Sequence, residues 1–146
     1  MEDNLTQAEA DRLISIEKHA ADTEERPYPA PGGKLTAPLV SSDGADQFLL
    51  DITRGQISLK VSHQTRYRKT TVLVRLDLGG ATHRNPDDSE ISTPHIHLYR
   101  EGYDDKWAFP LPDHVFADLA DLFQTAQDFM AYCHITQPPR IRPRLL

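Results

Sequence analysis

Two runs of alternating apolar and polar residues constrain this chain more than any other feature. They are Thr71-Val72-Leu73-Val74-Arg75-Leu76-Asp77-Leu78 and Pro94-His95-Ile96-His97-Leu98-Tyr99-Arg100. Both carry the period of two that marks a strand with one face in a core. In the second run His95, His97 and Tyr99 fall on one side, with Ile96 and Leu98 on the other. If the runs are neighbours, and Val72, Val74, Leu76, Leu78, Ile96 and Leu98 share the buried face, then Arg75, Asp77, His95, His97 and Tyr99 share the open one. Lys106-Trp107-Ala108-Phe109 reads as a short further strand, ended by Pro110 and Pro112.

The rest of the chain is read around this pair. Thr6-Gln7-Ala8-Glu9 matches a capping box and opens a predicted amphipathic helix over residues 7–22. Residues 23–46 are predicted to be an irregular connector, because Pro27, Pro29, Pro31, Gly32, Gly33 and Pro38 punctuate it. Residues 47–53 and 57–61 are predicted to form a hairpin turning at Arg54-Gly55-Gln56. Residues 79–93 make a long loop, the kind that tends to carry function. Asp113 is a candidate N-cap for a last helix over 114–133, whose apolar stripe includes Phe116, Leu119, Phe123, Ala126, Met130 and Cys133. Proline and arginine predict an extended tail over 136–146. The fold class expected is α+β in a single domain, residues 1–146. An antiparallel sheet of four to five strands within a 47–135 core is covered by the C-terminal helix, with the N-terminal helix at the edge.

Charge is unevenly spread. The chain carries a net charge of -6, yet residues 54–100 carry +4 between flanks of -7 and -3. A positive middle in an acidic chain suits an anionic ligand at the sheet. The single cysteine, Cys133, excludes an internal disulfide and a cysteine-rich zinc site, and is expected to be a small buried hydrophobe. No apolar run reaches the length of a membrane span, and the acidic Met1-Glu2-Asp3-Asn4 start lacks a signal-peptide pattern, so the expected location is cytoplasmic, with no membrane partner.

Three chemistries fit the candidate face. Two imidazoles and a guanidinium can cleave RNA without metal. One histidine takes the 2′-hydroxyl proton, a second acid protonates the leaving oxygen, and Arg75 stabilises phosphate charge. The candidate catalytic set is His95, His97, Arg75, Asp77, Tyr99 and His83. The basic run Arg66-Tyr67-Arg68-Lys69, with Arg84, is the candidate nucleic-acid contact, Tyr67 stacking on a base. The second chemistry is a polar sheet face with nothing bound, in which Asp77 fixes a histidine tautomer. The third is a metal site, since a His-x-His pair on a strand can converge on one ion, with Asp77 and His83 as further ligands. A lone His-x-His is a weak signal, and the expectation is no cofactor and no bound metal.

Pro94-His95-Ile96-His97-Leu98-Tyr99-Arg100-Glu101-Gly102 and Asp105-Lys106-Trp107-Ala108 resemble an uncharacterised family of small bacterial proteins. The likeness takes in Val74-Arg75-Leu76-Asp77 and Asp128-Phe129-Met130, and spans residues 47–138. Arg75, Asp77, His83, Asn85, Pro86, His95 and His97 are also loosely similar to toxin ribonucleases of bacterial toxin–antitoxin pairs. The spacing differs, and this chain is acidic where such toxins are often basic. That resemblance implies action on RNA and a cognate antitoxin as partner. The leading expectation is therefore a small bacterial cytosolic protein that binds or cleaves RNA, in its sharpest form a metal-independent ribonuclease of the toxin kind. The alternative is a non-enzymatic protein from a mobile element that occupies a nucleic-acid-binding protein. A metal-dependent enzyme is the third.

Overall fold

The computed structural model describes residues 4–56 and 59–143. The capping box forms as read. Glu9 N–H donates to Thr6 Oγ1 at 3.1 Å, and Thr6 N–H to Glu9 Oε1 at 2.9 Å, opening helix α1, Gln7–Ser15. The helix is shorter than the expected 7–22. Ile16 turns extended, and Lys18–Ala20 becomes strand β1, because its backbone is claimed from both sides by strands distant in sequence.

The expected irregular connector contains two strands. β2, Glu25–Pro27, pairs in parallel with the tail strand Arg140–Arg142. β3, Lys34–Ser41, buries Leu35, Ala37, Leu39 and Ser41 in clean alternation. Pro38 sits inside β3 at little cost. The β1 ladder on that side ends at Ala20 opposite Leu39, and Pro38 still offers its carbonyl to Ala21 N–H at 2.9 Å.

β4, Gln47–Arg54, pairs with β5, Val61–Tyr67, which pairs with β6, Thr71–Leu78. Of the expected 57–61 strand, Ile57 and Ser58 lie outside the described residues. Leu59 is 85% exposed, and the strand starts at Val61. The long loop carries a small hairpin, β7 (His83–Arg84) and β8 (Glu90–Ile91). β9, His95–Leu98, pairs with β6, and β10, Ala108–Pro110, pairs with β9. Helix α2 spans Leu122–Tyr132, not 114–133. Asp121 wins the N-cap by accepting Gln124 N–H at 3.0 Å, while His114 is held at φ 62°, outside the helical region. β11, Ile135–Gln137, and β12, Arg140–Arg142, follow.

Among the described residues the main sheet has eight strands in the order β10-β9-β6-β5-β4-β3-β1-β11, twice the expected lower bound because β1, β3 and β11 were not legible as strands. It is antiparallel except where β1 meets β11. Across it, Leu35, Ile52, His63, Leu76 and Ile96 form one buried row, and Ala37, Leu50, Thr65 and Val74 another. Both helices join this core through Ala10, Leu13, Ala126, Phe129 and Met130. One strand residue departs from parity. The register slips between Thr65 and Arg66, so that Thr65 faces Val74 and Arg66 faces Val72. The extra residue, Leu73, is turned fully into the core, and Val72, expected there, is only half-buried. Cys133 is buried as expected, and burial pushes its thiol up to about 12.

The opposite face of the sheet is polar. Thr36, Asp51, Gln64, Arg75 and His97 lie in one cross-strand row, with Ser62, Asp77 and His95 in the next.

Candidate functional site

Local alternation aims four site residues at one point. Arg75 stands opposite His97, and Asp77 opposite His95, on neighbouring strands β6 and β9. The face is not open, as parity alone implied. His95 is 2% exposed and His97 1%, because the loop and the β9–β10 connection fold over them. Asn85 clamps that cover. Its amide donates to Ala108 C=O at 3.0 Å and accepts Ala108 N–H at 2.8 Å, taking the place of a further strand at the β10 edge.

The cover brings in two more residues. His83 packs edge-on against His97, ring centroids 4.6 Å apart, and lies 5.9 Å from His95. Asp105 reaches Arg75 Nη1 with its carboxylate and accepts from His97 Nδ1 through its backbone carbonyl at 2.8 Å. Sequence reasoning named His83 but not Asp105. The only signal was its place beside Lys106-Trp107, and nothing local ties it to a strand thirty residues earlier.

A carbonyl only accepts, so the hydrogen bonds assign tautomers. His97 Nδ1 faces Asp105 C=O, and His95 Nδ1 faces Ser92 C=O at 3.3 Å, so both Nδ1 atoms carry hydrogen. Both Nε2 atoms then turn on one oxygen, Asp77 Oδ2, at 3.3 Å from His95 and 3.2 Å from His97. Arg75 contributes Nη2 at 3.0 Å from His97 Nε2, and its Nε lies 3.2 Å from Asp77 Oδ1. Burial works to raise the Asp77 carboxyl, but the His97 hydrogen bond and the charges of Arg75 and the histidines outweigh it and hold the group well below the usual carboxylate range. His83 donates Nε2–H to Lys106 C=O at 2.7 Å. Among the described residues, its Nδ1 has no hydrogen-bond partner.

Asp77, His83 and His95 border a cavity of about 240 Å³ that opens past Lys60, Ser62, Thr82 and Thr93. Tyr99 does not join them. β9 ends at Leu98, and the Tyr99 side chain turns toward α1, where its hydroxyl donates to Leu5 C=O at 2.7 Å.

The basic run is placed elsewhere. Arg66 faces Val72, five residues along β6 from Asp77, which by strand rise is about 16 Å. Arg66 Nε lies 2.6 Å from buried Asp51, which also accepts from Thr36 and Gln64. Tyr67 is buried against Phe48, 5.7 Å between ring centroids, rather than presented for stacking. Arg68 stacks over Tyr67 at 5.0 Å, and Lys69 is exposed at the turn. Arg84 lies 3.7 Å from Glu90 on the loop hairpin.

A family model matches residues 5–135. The chain belongs to DUF6978, a family of unknown function. The match takes in α1 and β1 to β3, so the family domain extends well before the 47–138 span of the sequence resemblance. It also includes every residue of the histidine cluster. No curated protein and no solved structure matches the chain. No helix among the described residues is long and apolar enough to cross a membrane.

Proposed function

We propose that this protein binds single-stranded RNA at the cavity beside His83 and cuts its phosphodiester backbone. The observation that carries the reading is the meeting of His83 and His95, 5.9 Å apart, on one cavity that Lys60, Ser62, Thr82 and Thr93 also line. A cation and three hydroxyls suit a phosphate, and the space suits one ribose-phosphate unit. His83 Nδ1 takes the 2′-hydroxyl proton, since its Nε2–H is already committed to Lys106 C=O. The 2′-oxygen then attacks phosphorus, and the 5′-oxygen leaves with a proton from water at the cavity mouth. Lys60, on the cavity wall, supplies positive charge to the phosphate. In the toxin form of this reading the protein needs a cognate antitoxin, so expression in a host without one stops growth.

The test is incubation of the purified protein with total RNA, beside growth of a host expressing parent or variant. His83→Ala, a half-buried loop residue, should keep the fold and lower cleavage roughly 10²–10⁴-fold, the range for losing a general base. Uncut RNA together with harmless expression ends this reading. Cleavage that survives His83→Ala moves the base to another residue.

A further inference from the structure

We infer that Asp77, His95 and His97 form a seat for one divalent transition-metal ion. Three acceptor atoms point at one place. Both Nδ1–H groups are held by backbone carbonyls, which aims both Nε2 atoms at an anionic carboxylate oxygen. In the neutral rings these atoms present lone pairs to an anion, so positive charge belongs between them: protons on the rings, as in the hydrogen bond from His97 to Asp77, or a metal ion in their place. Arg75 Nη2 provides it for His97 at 3.0 Å, but among the described residues the hydrogen bonds of His95 include none from a guanidinium.

The distances fit a metal. For bonds of about 2.0–2.1 Å in tetrahedral geometry, neighbouring ligand atoms lie about 3.3 Å apart. Asp77 Oδ2 is 3.3 Å from His95 Nε2 and 3.2 Å from His97 Nε2. All three ligand atoms lie within 4.8 Å of one another, so the His95–His97 edge has to close by at most about 1.5 Å to reach that geometry. The Nδ1–H to carbonyl bonds are the support that metal-bound histidines use to fix tautomer and ring orientation. Asp77 and His95 border the cavity, which gives the ion a way in and leaves a coordination position facing the space where His83 also lies. Two imidazoles and one carboxylate suit zinc, iron(II), cobalt(II) or manganese(II).

This departs from the expectation of no metal. A lone His-x-His is weak because two ligands seldom suffice. The third ligand here comes from the paired register position on the neighbouring strand, Asp77 opposite His95, and pairing of that kind is invisible to a motif.

The inference stands apart from RNA, and its test uses none. The chelator-stripped full chain is titrated with Zn²⁺ by calorimetry and with Co²⁺ by visible absorption. One equivalent should bind, with a rise in Tm. Histidine ¹⁵N spectra of the parent should show two Nε2 resonances moving on Zn²⁺ addition. Asp77→Asn and His97→Gln should weaken binding roughly a hundredfold, at least as much as losing a supporting partner does. Arg75→Met should tighten it, because the guanidinium competes for the same Asp77 and His97 atoms. Absence of saturable binding, or histidine signals that stay unmoved, overturns the inference without any variant. Binding that is unchanged in both Asp77→Asn and His97→Gln places the ion elsewhere and overturns it too. Bound metal with uncut RNA sinks only the ribonuclease reading, and cut RNA with no bound metal sinks only this one.

Discussion

Lys18 Nζ donates to Cys133 C=O at 3.1 Å, so one buried ammonium joins the end of α2 to the end of α1. The same nitrogen also donates to Ile14 C=O and Ile16 C=O, each at 3.0 Å, and lies 5.1 Å from the centre of the Phe48 ring. These carbonyls are the ones a helix leaves without partners at its C-terminus, where a cation is favoured. Burial pushes the Lys18 pKa down to about 8, which still leaves it mostly charged at neutral pH.

Lys18→Met keeps the volume and removes all three hydrogen bonds. Each buried polar group left without a partner costs about 1–3 kcal/mol. The variant should lose about 3 kcal/mol in urea unfolding at pH 7, allowing for one carbonyl regaining water. Stability equal to the parent's would mean that the three carbonyls are hydrated or otherwise paired.

His63 predicts a pH dependence. It is fully buried beside Phe129, ring centroids 5.6 Å apart, and among the described residues neither ring nitrogen has a hydrogen-bond partner. Burial pushes its pKa down to about 4, against a small opposing pull from Asp77. Its ordinary value is about 6.5, so between these limits the unfolded chain holds more protons than the folded one. The contribution of His63 to stability is therefore whole above about pH 6.5 and falls as pH drops toward 4. The total loss is about 3 kcal/mol, from 1.36 kcal/mol per pKa unit. Asp77 also loses stability in acid, so the informative quantity is the difference between parent and His63→Leu. That difference should shift in favour of the variant between pH 7 and pH 4. A constant difference across that range would show that His63 does not titrate on unfolding.

Asn85→Ala tests the cover over the histidines. It removes the two hydrogen bonds to Ala108 and leaves a buried N–H and C=O without partners. The expected global loss is about 2 kcal/mol. Amide exchange should rise first at Ala108, whose N–H loses its acceptor, Asn85 Oδ1. Unchanged protection at Ala108 would mean that the loop is held by other contacts.

The sequence alone determined the local facts. Alternation over residues 74–78 and 95–98 depends only on the pleat, so it put Arg75 and Asp77 on one face of their strand and His95 and His97 on one face of theirs, while the pairing of the two strands came from the fold. The capping box at Thr6 and Glu9 is equally local. Alternation says nothing about what lies over a face, however, and the burial of His95 and His97 under residues 83–85 and 105–108 was decided by tertiary packing. So was the turning of Tyr99 toward α1, because the strand ends at Leu98 and the ladder slips at Leu73. β1 and β3 stayed hidden for two different reasons. Three residues from Lys18 to Ala20 have no strand signal of their own and take that form only between β3 and β11. The alternation from Leu35 to Ser41 was present but outweighed by Pro38, whose missing donor matters little only because β1 stops where it does. Hydrogen-bond partners supplied by other strands are a property of the folded chain, and they decided both the eight-stranded sheet and the closing of the histidine cluster.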